Sequence, residues 1–154
     1  MTVLSAHSIR ALGIVTPHVA RTIAHGMSYG ESVAGYDIRI RDKALVEQGH
    51  TVLAISMEAL QMPKNVSGCV HDKSTWARQG LFVRNTVIEP GWRGFVTLEL
   101  SYLPLRYGDA SISIPAGAPI AQVVFLFTNL WTKGYEGKYQ DAGPFPQPAI
   151  LDGS

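Results

Sequence analysis

The chain holds a single cysteine, Cys69, which excludes an internal disulfide and any zinc site built on several thiolates. Charge is also scarce. Only 16% of residues are Asp, Glu, Lys or Arg, against about 25% in a usual soluble domain. So few charges imply that part of the surface is covered, for instance by a partner subunit. Thirteen basic and twelve acidic residues leave a net charge of +1, so no basic field is available to hold a nucleic-acid backbone. No apolar run approaches the ~18 residues of a membrane span, and no charged-then-apolar leader is seen. A protein of a reducing, cytoplasmic compartment is therefore expected. What is abundant is turn chemistry: fifteen glycines and nine prolines are spread along 154 residues, as many short strands joined by turns require. The length suits one domain with a real core and is short for two.

Element signals come in order along the chain. Residues 4–13 read as a short helix, with Ser5 as cap, Ile9 and Leu12 facing inward and Gly13 as terminator. Segment 26–35, rich in Gly and Ser, is expected to be a loop. Residues 34–41 alternate polar and apolar, and 51–56 are β-branched; both read as strands. The stretch 57–66 contains Pro63 and is expected to be irregular. Residues 73–80 fit a turn and a half of helix, with Ser74 as N-cap and Gly80 past its end. Another strand begins at Leu81-Phe82-Val83. Glu89-Pro90-Gly91-Trp92 is a turn. The strand after it alternates cleanly: Val96, Leu98 and Leu100 share one face, and Phe95, Thr97, Glu99 and Ser101 the other. Residues 120–127 are apolar on both faces apart from Gln122 and should lie deep. The tail from Tyr135 becomes Pro-rich and should either hang free or dock on a neighbour. Together these give one all-β domain over 1–154, a sandwich or jelly roll with one or two short helices.

Two groups of residues could do chemistry. Ser74 and Arg78 are four apart, with Thr75 beside them and Lys73 before them. Free N–H groups at a helix start, two hydroxyls and a guanidinium fork suit phosphate. The same spacing equally describes a capped surface helix with a solvated arginine. The second group centres on Glu99, set between strong apolar neighbours. If its face is covered, desolvation favours the protonated form and suits a proton shuttle; if not, that face is simply the wet side of a sheet. Glu89 in the turn, and Gln122 with an amide to satisfy in an apolar run, are further candidates. The histidines show no metal spacing, and Gly26, Gly30 and Gly35 form no phosphate-binding loop between strand and helix.

Five strings in order carry a family resemblance. They are Ser28 to Arg39 (SYGESVAGYDIR), Lys73 to Gly80 (KSTWARQG), Glu89 to Ser101 (EPGWRGFVTLELS), Gly117 to Phe125 (GAPIAQVVF) and Gly137 to Gln140 (GKYQ). Taken together, the chain resembles the dCTP deaminase branch of the dUTPase superfamily, from about residue 28 to 140. The resemblance implies a homotrimer of distorted β jelly rolls, or β-barrels, of the dUTPase-like type, with active sites shared between subunits and residues 135–154 docking over one of them. It implies that Glu99 is the general base and acid of dCTP deamination, and that Ser74, Thr75 and Arg78, with Lys73, bind the triphosphate. The hairpin Asn85-Thr86-Val87-Ile88 is similar to the one that reads the pyrimidine edge, Lys138, Tyr135 and Tyr139 would close over sugar and phosphates, and Glu89, Gln122 and Gln140 are further substrate-binding candidates. Mg²⁺ would ride on the triphosphate with no direct protein ligand, and zinc has no part: no His-x-Glu is followed by Pro-Cys-x-x-Cys. Expected partners are dCTP, dUTP and dTTP and a second copy of the chain, with no nucleic acid and no membrane, in a bacterial cell or a phage-infected host.

The chain also departs from the pattern. After Gln140 the family tail continues Gly-Gln, whereas Asp141-Ala142 stands here. Val87 occupies a position where many relatives have proline. Arg93 in Pro-Gly-Trp-Arg-Gly is similar to the Tyr-Arg-Gly string of dUTPases, and Glu89 stands where that branch has its water-activating Asp. dUTP diphosphatase activity, alone or joined to deamination, is thus one alternative, and a non-catalytic nucleotide-binding regulator is another.

Overall fold

The computed structural model describes residues 2–84 and 86–151. Its elements run β1 (Thr2–Val3), α1 (Ala6–Ala11), β2 (Val15–Thr16), β3 (Thr22–Ala24), β4 (Met27–Ser32), β5 (Gly35–Arg39), β6 (Ala44–Glu47), β7 (Thr51–Gln61), β8 (Val66–Asp72), α2 (Ser74–Ala77), β9 (Leu81–Val83), β10 (Val87–Ile88), β11 (Arg93–Tyr102), β12 (Ser111–Ile114) and β13 (Pro119–Phe127). The all-β expectation is met. One sheet has the order β10-β8-β13-β5-β4-β3, with β1 also on β13; a second has β2-β7-β11-β9; β12 and β6 form a third. No helix among the described residues is long and apolar enough to cross a membrane.

One continuous core fills the space between the sheets. β13 is central in the first sheet, between β8 and β5, and its Ile120, Ala121, Val123 and Phe125 are fully buried. β11 supplies Val96, Leu98 and Leu100 from one face, all buried, as its alternation requires. The two short helices seal the ends. In α1, Ser5 caps through its Oγ, which accepts from Ser8 N–H. Gly13 then turns at φ +62. The N–H groups of Gly13 and Ile14 bond back to Arg10 and Ile9 carbonyls, which is a Schellman closure. Ile9 and Ile14 are both buried at that closure, whereas Leu12 is 42% exposed. The inward position expected for Leu12 belongs to Ile14, because the chain reverses at Gly13.

Three further expectations are corrected. Segment 26–35 is mostly strand β4, not a loop. Its Gly30 marks a close backbone approach: a Cβ there would stand 2.6 Å from the Val19 carbonyl oxygen. The stretch 57–66 is mostly strand as well, since β7 runs on to Gln61 and Pro63 falls in the turn before β8. In α2 the N-cap is Lys73 rather than Ser74, with no side-chain cap bond; Ser74 is already helical. Trp76 anchors this helix by donating its indole N–H to the Pro119 carbonyl at 2.7 Å.

The irregularity in β7 is what sets the register of β11. Phe95 pairs with Ala59 and Thr97 with Ile55, so Ser56, Met57 and Glu58 bulge opposite Val96. The Ser56 hydroxyl stitches the bulge. It accepts from Val96 N–H at 2.8 Å and donates to the Glu58 carbonyl at 2.7 Å. Glu58, fully buried, receives the Arg39 N–H at 2.8 Å and its Nε–H at 2.7 Å, and the Arg39 guanidinium also lies over the Tyr29 ring. Ser56→Ala would leave a buried backbone N–H unpaired, so a loss of about 1–3 kcal/mol is expected by chemical denaturation; a loss below measurement error would contradict this role.

Candidate active site

β11 delivers Glu99 to a cavity. The turn before it is type II: Trp92 N–H donates to the Glu89 carbonyl at 3.1 Å and Gly91 adopts φ +82. A Cβ on Gly91 would stand 2.8 Å from Gly134 Cα, where the tail passes. The turn leaves Glu89 just upstream of β11, and the alternation of β11 puts Phe95, Thr97 and Glu99 on the face away from the core. That face is covered. Residues 135–149 fold back over it and enclose a cavity of about 420 Å³. Glu99, Glu89, Thr86, Val87, Tyr135 and Tyr139 all line it, with Leu53, Trp92 and Phe95 as its apolar wall. Glu99 is half-buried, and its carboxylate has no hydrogen-bond partner among the described residues. Two carboxylates, two phenols and an apolar wall suit a small planar ring with polar edges.

The tail is fastened at several points. Trp92 donates its indole N–H to the Tyr139 carbonyl at 2.7 Å. Gln140 accepts from Arg93 N–H at 2.9 Å and donates to the Gly91 carbonyl at 3.0 Å. Ala142 pairs in parallel with Gly94, and its carbonyl accepts from Phe95 N–H at 3.0 Å. Gln147 N–H donates to Thr97 Oγ1 at 3.0 Å, and Ile150 N–H to the Tyr139 hydroxyl at 2.9 Å. Asp141 sits at φ +59, a backbone that favours glycine, and is held by a two-point ion pair with Arg93. The Arg93 hydrogen bond keeps the Asp141 carboxyl below its ordinary range, and Asp141 in turn raises Arg93.

The phosphate candidates lie elsewhere in the chain. Ser74, Thr75 and Arg78 are exposed on α2 and none lines the cavity. Lys73 is turned inward: its Nζ donates to Asp37 Oδ2 at 2.9 Å, with both side chains only 11% exposed, so its charge is already matched. Gln122 donates to Ser32 Oγ at 2.9 Å and is likewise away from the cavity. Lys138 is exposed, with its ammonium 5.9 Å from the Tyr139 ring centre. Asn85 lies outside the described residues.

The dCTP deaminase-like family profile matches residues 8–128. The chain belongs to the dCTP deaminase-like family. A dCTP deaminase of Roseiflexus castenholzii is 35% identical over 150 residues, covering 76% of this chain and 78% of that one. One of Campylobacter hominis is 32% identical over 178 residues, covering 92% and 90%. Among solved structures, the 2'-deoxycytidine 5'-triphosphate deaminase of Agrobacterium tumefaciens superposes with a TM-score of 0.61 at 18% identity, over 81% of this chain and 48% of that one. The EIAV dUTPase superposes with a TM-score of 0.53 at 22% identity, over 69% and 85%. The fold is therefore dUTPase-like. Within this dCTP deaminase-like chain, sequence reasoning did not single out Thr97 or Trp92 as parts of the cavity. Thr97 was findable from its two-residue spacing to Glu99. The docking of the tail was expected only from the family resemblance, because its Pro-rich segment carries no periodicity.

The Asp141 clasp has a definite pH sense. A depressed carboxyl stabilises the docked tail at neutral pH, and that contribution fades as pH falls through its lowered range, below about 4. Asp141→Asn is expected to speed hydrogen exchange of the Phe95 and Asp141 amides severalfold at neutral pH; exchange equal to the parent protein would contradict the clasp.

Proposed function

We propose that the protein deaminates dCTP hydrolytically, dCTP + H₂O → dUTP + NH₃, with Glu99 as the proton shuttle. The observation that carries this reading is the half-buried Glu99 carboxylate in a cavity of nucleobase size, on a strand of the dCTP deaminase-like family. In this reading Glu99 takes a proton from the water that attacks C4 of cytosine. It gives that proton to N3, then takes the remaining proton from the new C4 hydroxyl and gives it to the amine, so C4=O forms as the C4–N bond breaks and ammonia leaves. Such a group contributes roughly 10²–10⁴ in rate. Among the described residues the expected hairpin is not formed, since β9 pairs with β11 in one sheet and β10 with β8 in another; Thr86, Val87 and Glu89 on this connection would read the pyrimidine edge, and Tyr135, Lys138, Tyr139 and Gln140 would close on sugar and phosphates.

The exposed Ser74, Thr75 and Arg78 of α2 take no part in lining this cavity. They would reach a triphosphate in the cavity of a neighbouring subunit, so the working form is a homotrimer with shared sites. Mg²⁺, when bound, neutralises and orders the triphosphate. Among the described residues no group of three or more His, Cys, Asp or Glu is disposed to hold a metal, so phosphate oxygens and water would be its ligands. The reaction as written has no zinc-bound water. Its substrates and products are those of a cytoplasmic nucleotide pool.

A second reading has its own observation. Glu89 lines the same cavity as Glu99, and a carboxylate there could activate water for dUTP + H₂O → dUMP + pyrophosphate. Chromatography of products from dCTP and from dUTP, each with Mg²⁺, separates the readings. Ammonia with dUTP supports deamination alone; dUMP with pyrophosphate adds the hydrolysis; tight nucleotide binding without product overturns both in favour of a binding module. Glu99→Gln is expected to cut turnover at least ~10²-fold with nucleotide affinity retained; turnover within tenfold of the parent would contradict the shuttle.

A further inference from the structure

The cavity has a charge imbalance that its own lining does not correct. Glu89 and Glu99 both face it, and among the described residues no lysine or arginine lines it, yet the nucleotide proposed for it is a polyanion. The groups around Glu99 come from several elements. On β11 itself its face neighbours are Thr97 and Ser101. Across on β7 its partner is Leu53. From the turn before β11 comes Glu89, and from the tail come Tyr135 and Tyr139. The remaining neighbour lies on the other edge of β11. The ladder with β9 pairs Leu100 with Val83 and Ser101 with Phe82. One step further along this register, Arg84 stands opposite Glu99, and its N–H donates to the Glu99 carbonyl at 3.0 Å.

Residues directly opposite in an antiparallel pair point to the same face, with Cβ atoms about 4.5–5.5 Å apart. Arg84 obeys this. Its Nη2 reaches Ser101 Oγ, two residues along that face from Glu99, at 3.4 Å. Ser101 Oγ is in turn held by Thr51 Oγ1 at 3.0 Å. Arg84 is otherwise exposed, and its contact with Ser101 is long and easily exchanged. Because Arg84 and Glu99 are opposite each other on one face, with Ser101 two residues along it, the pairing asks for a change of side-chain rotamer and no shift of backbone. This cation is therefore on the right face, at the right register, and loosely parked.

We propose that Arg84 is the positioning residue of Glu99: it pairs with the carboxylate as a nucleotide enters, orienting it and offsetting the repulsion between the acidic cavity and the polyphosphate. The proposal deepens the deaminase reading and rests on it. It is tested with Arg84→Gln and Arg84→Lys, using kcat and KM for dCTP with Mg²⁺ at low and high salt. Arg84→Gln is expected to lose tenfold or more in kcat/KM, with kcat falling as well as KM rising. Arg84→Lys, which keeps the charge, should recover at least a third of parent activity, and thermal midpoints should stay unchanged because the side chain is exposed. Arg84→Gln within twofold of the parent in both constants, or Arg84→Lys no better than Arg84→Gln, overturns the proposal. A second measurement does not depend on turnover. The carboxyl ¹³C resonance of Glu99, assigned with Glu99→Gln, is followed at neutral pH as dCTP is added to the parent and to Arg84→Gln. Bound dCTP itself shifts this resonance in both proteins; a displacement in the parent that differs from that in Arg84→Gln supports the pairing, and equal displacements refute it. A parent enzyme that turns over no dCTP would sink the deaminase reading, while the resonance still decides the pairing.

Discussion

The alternation of a single strand governs this molecule. In β11, every second side chain is driven into the core: Val96, Leu98 and Leu100 are at most 3% exposed. Fully burying such side chains is worth roughly 1.5–3 kcal/mol each, so the register resists slipping. A slip by one residue would exchange the faces, exposing three aliphatic side chains and driving Glu99 into the core. The same hydrophobic pattern that holds the domain together thus fixes the carboxylate on the opposite face. The bulge at Ser56–Glu58 and its hydroxyl stitch match the partner strand to this register.

The second constraint is the cover. A carboxylate on the outer face of a sheet is solvated unless something lies over it, and here the cover is the chain's own tail. Among its described residues the tail has no regular secondary structure beyond a single parallel bridge, so it is held by point contacts. The indole of Trp92, the amide of Gln140, the ion pair of Arg93 with Asp141 and the hydroxyl of Thr97 each bind it once or twice. Exposed pairs of this kind contribute little individually. Regions fastened in this way open at low free-energy cost, which suits a wall that a nucleotide must pass. The match to the family profile ends at residue 128, and the cavity wall is built from the segment beyond it, residues 135–149.

Much of the fold could be read from the residues. The clean alternation of 94–101, the deep strand at 120–127, the turn at 89–92 and the Schellman-closed helix near the N-terminus all left direct signals. The errors had physical causes. Glycines in 26–35 suggested a loop, but Gly30 is there because another backbone lies against it. Pro63 suggested an irregular stretch around it, but it merely punctuates two strands. Leu12 followed helical periodicity one residue past Ala11, where the helix ends just before Gly13 reverses the chain. For the site, Glu99 was legible from its place in an apolar strand and its cavity neighbour Glu89 from the turn, whereas Val87 was named only through the family resemblance. The buried matching of Lys73 by Asp37 was not, since the partners are 36 residues apart and share no pattern. Nor was the clasp of Arg93 by Asp141, which appears only once the tail has folded back.

If Glu99 is the proton shuttle, residue 99 must face the reacting carbon of a cytosine. A crystal structure of the Glu99→Gln protein with dCTP and Mg²⁺ tests this most directly. The pyrimidine is expected between residues 86–89 and β11, with C4 within about 4 Å of the side chain at position 99, consistent with a water-bridged hydrogen-bonded reach. A nucleotide bound with its base outside that cavity, or with C4 turned away from β11, would contradict it.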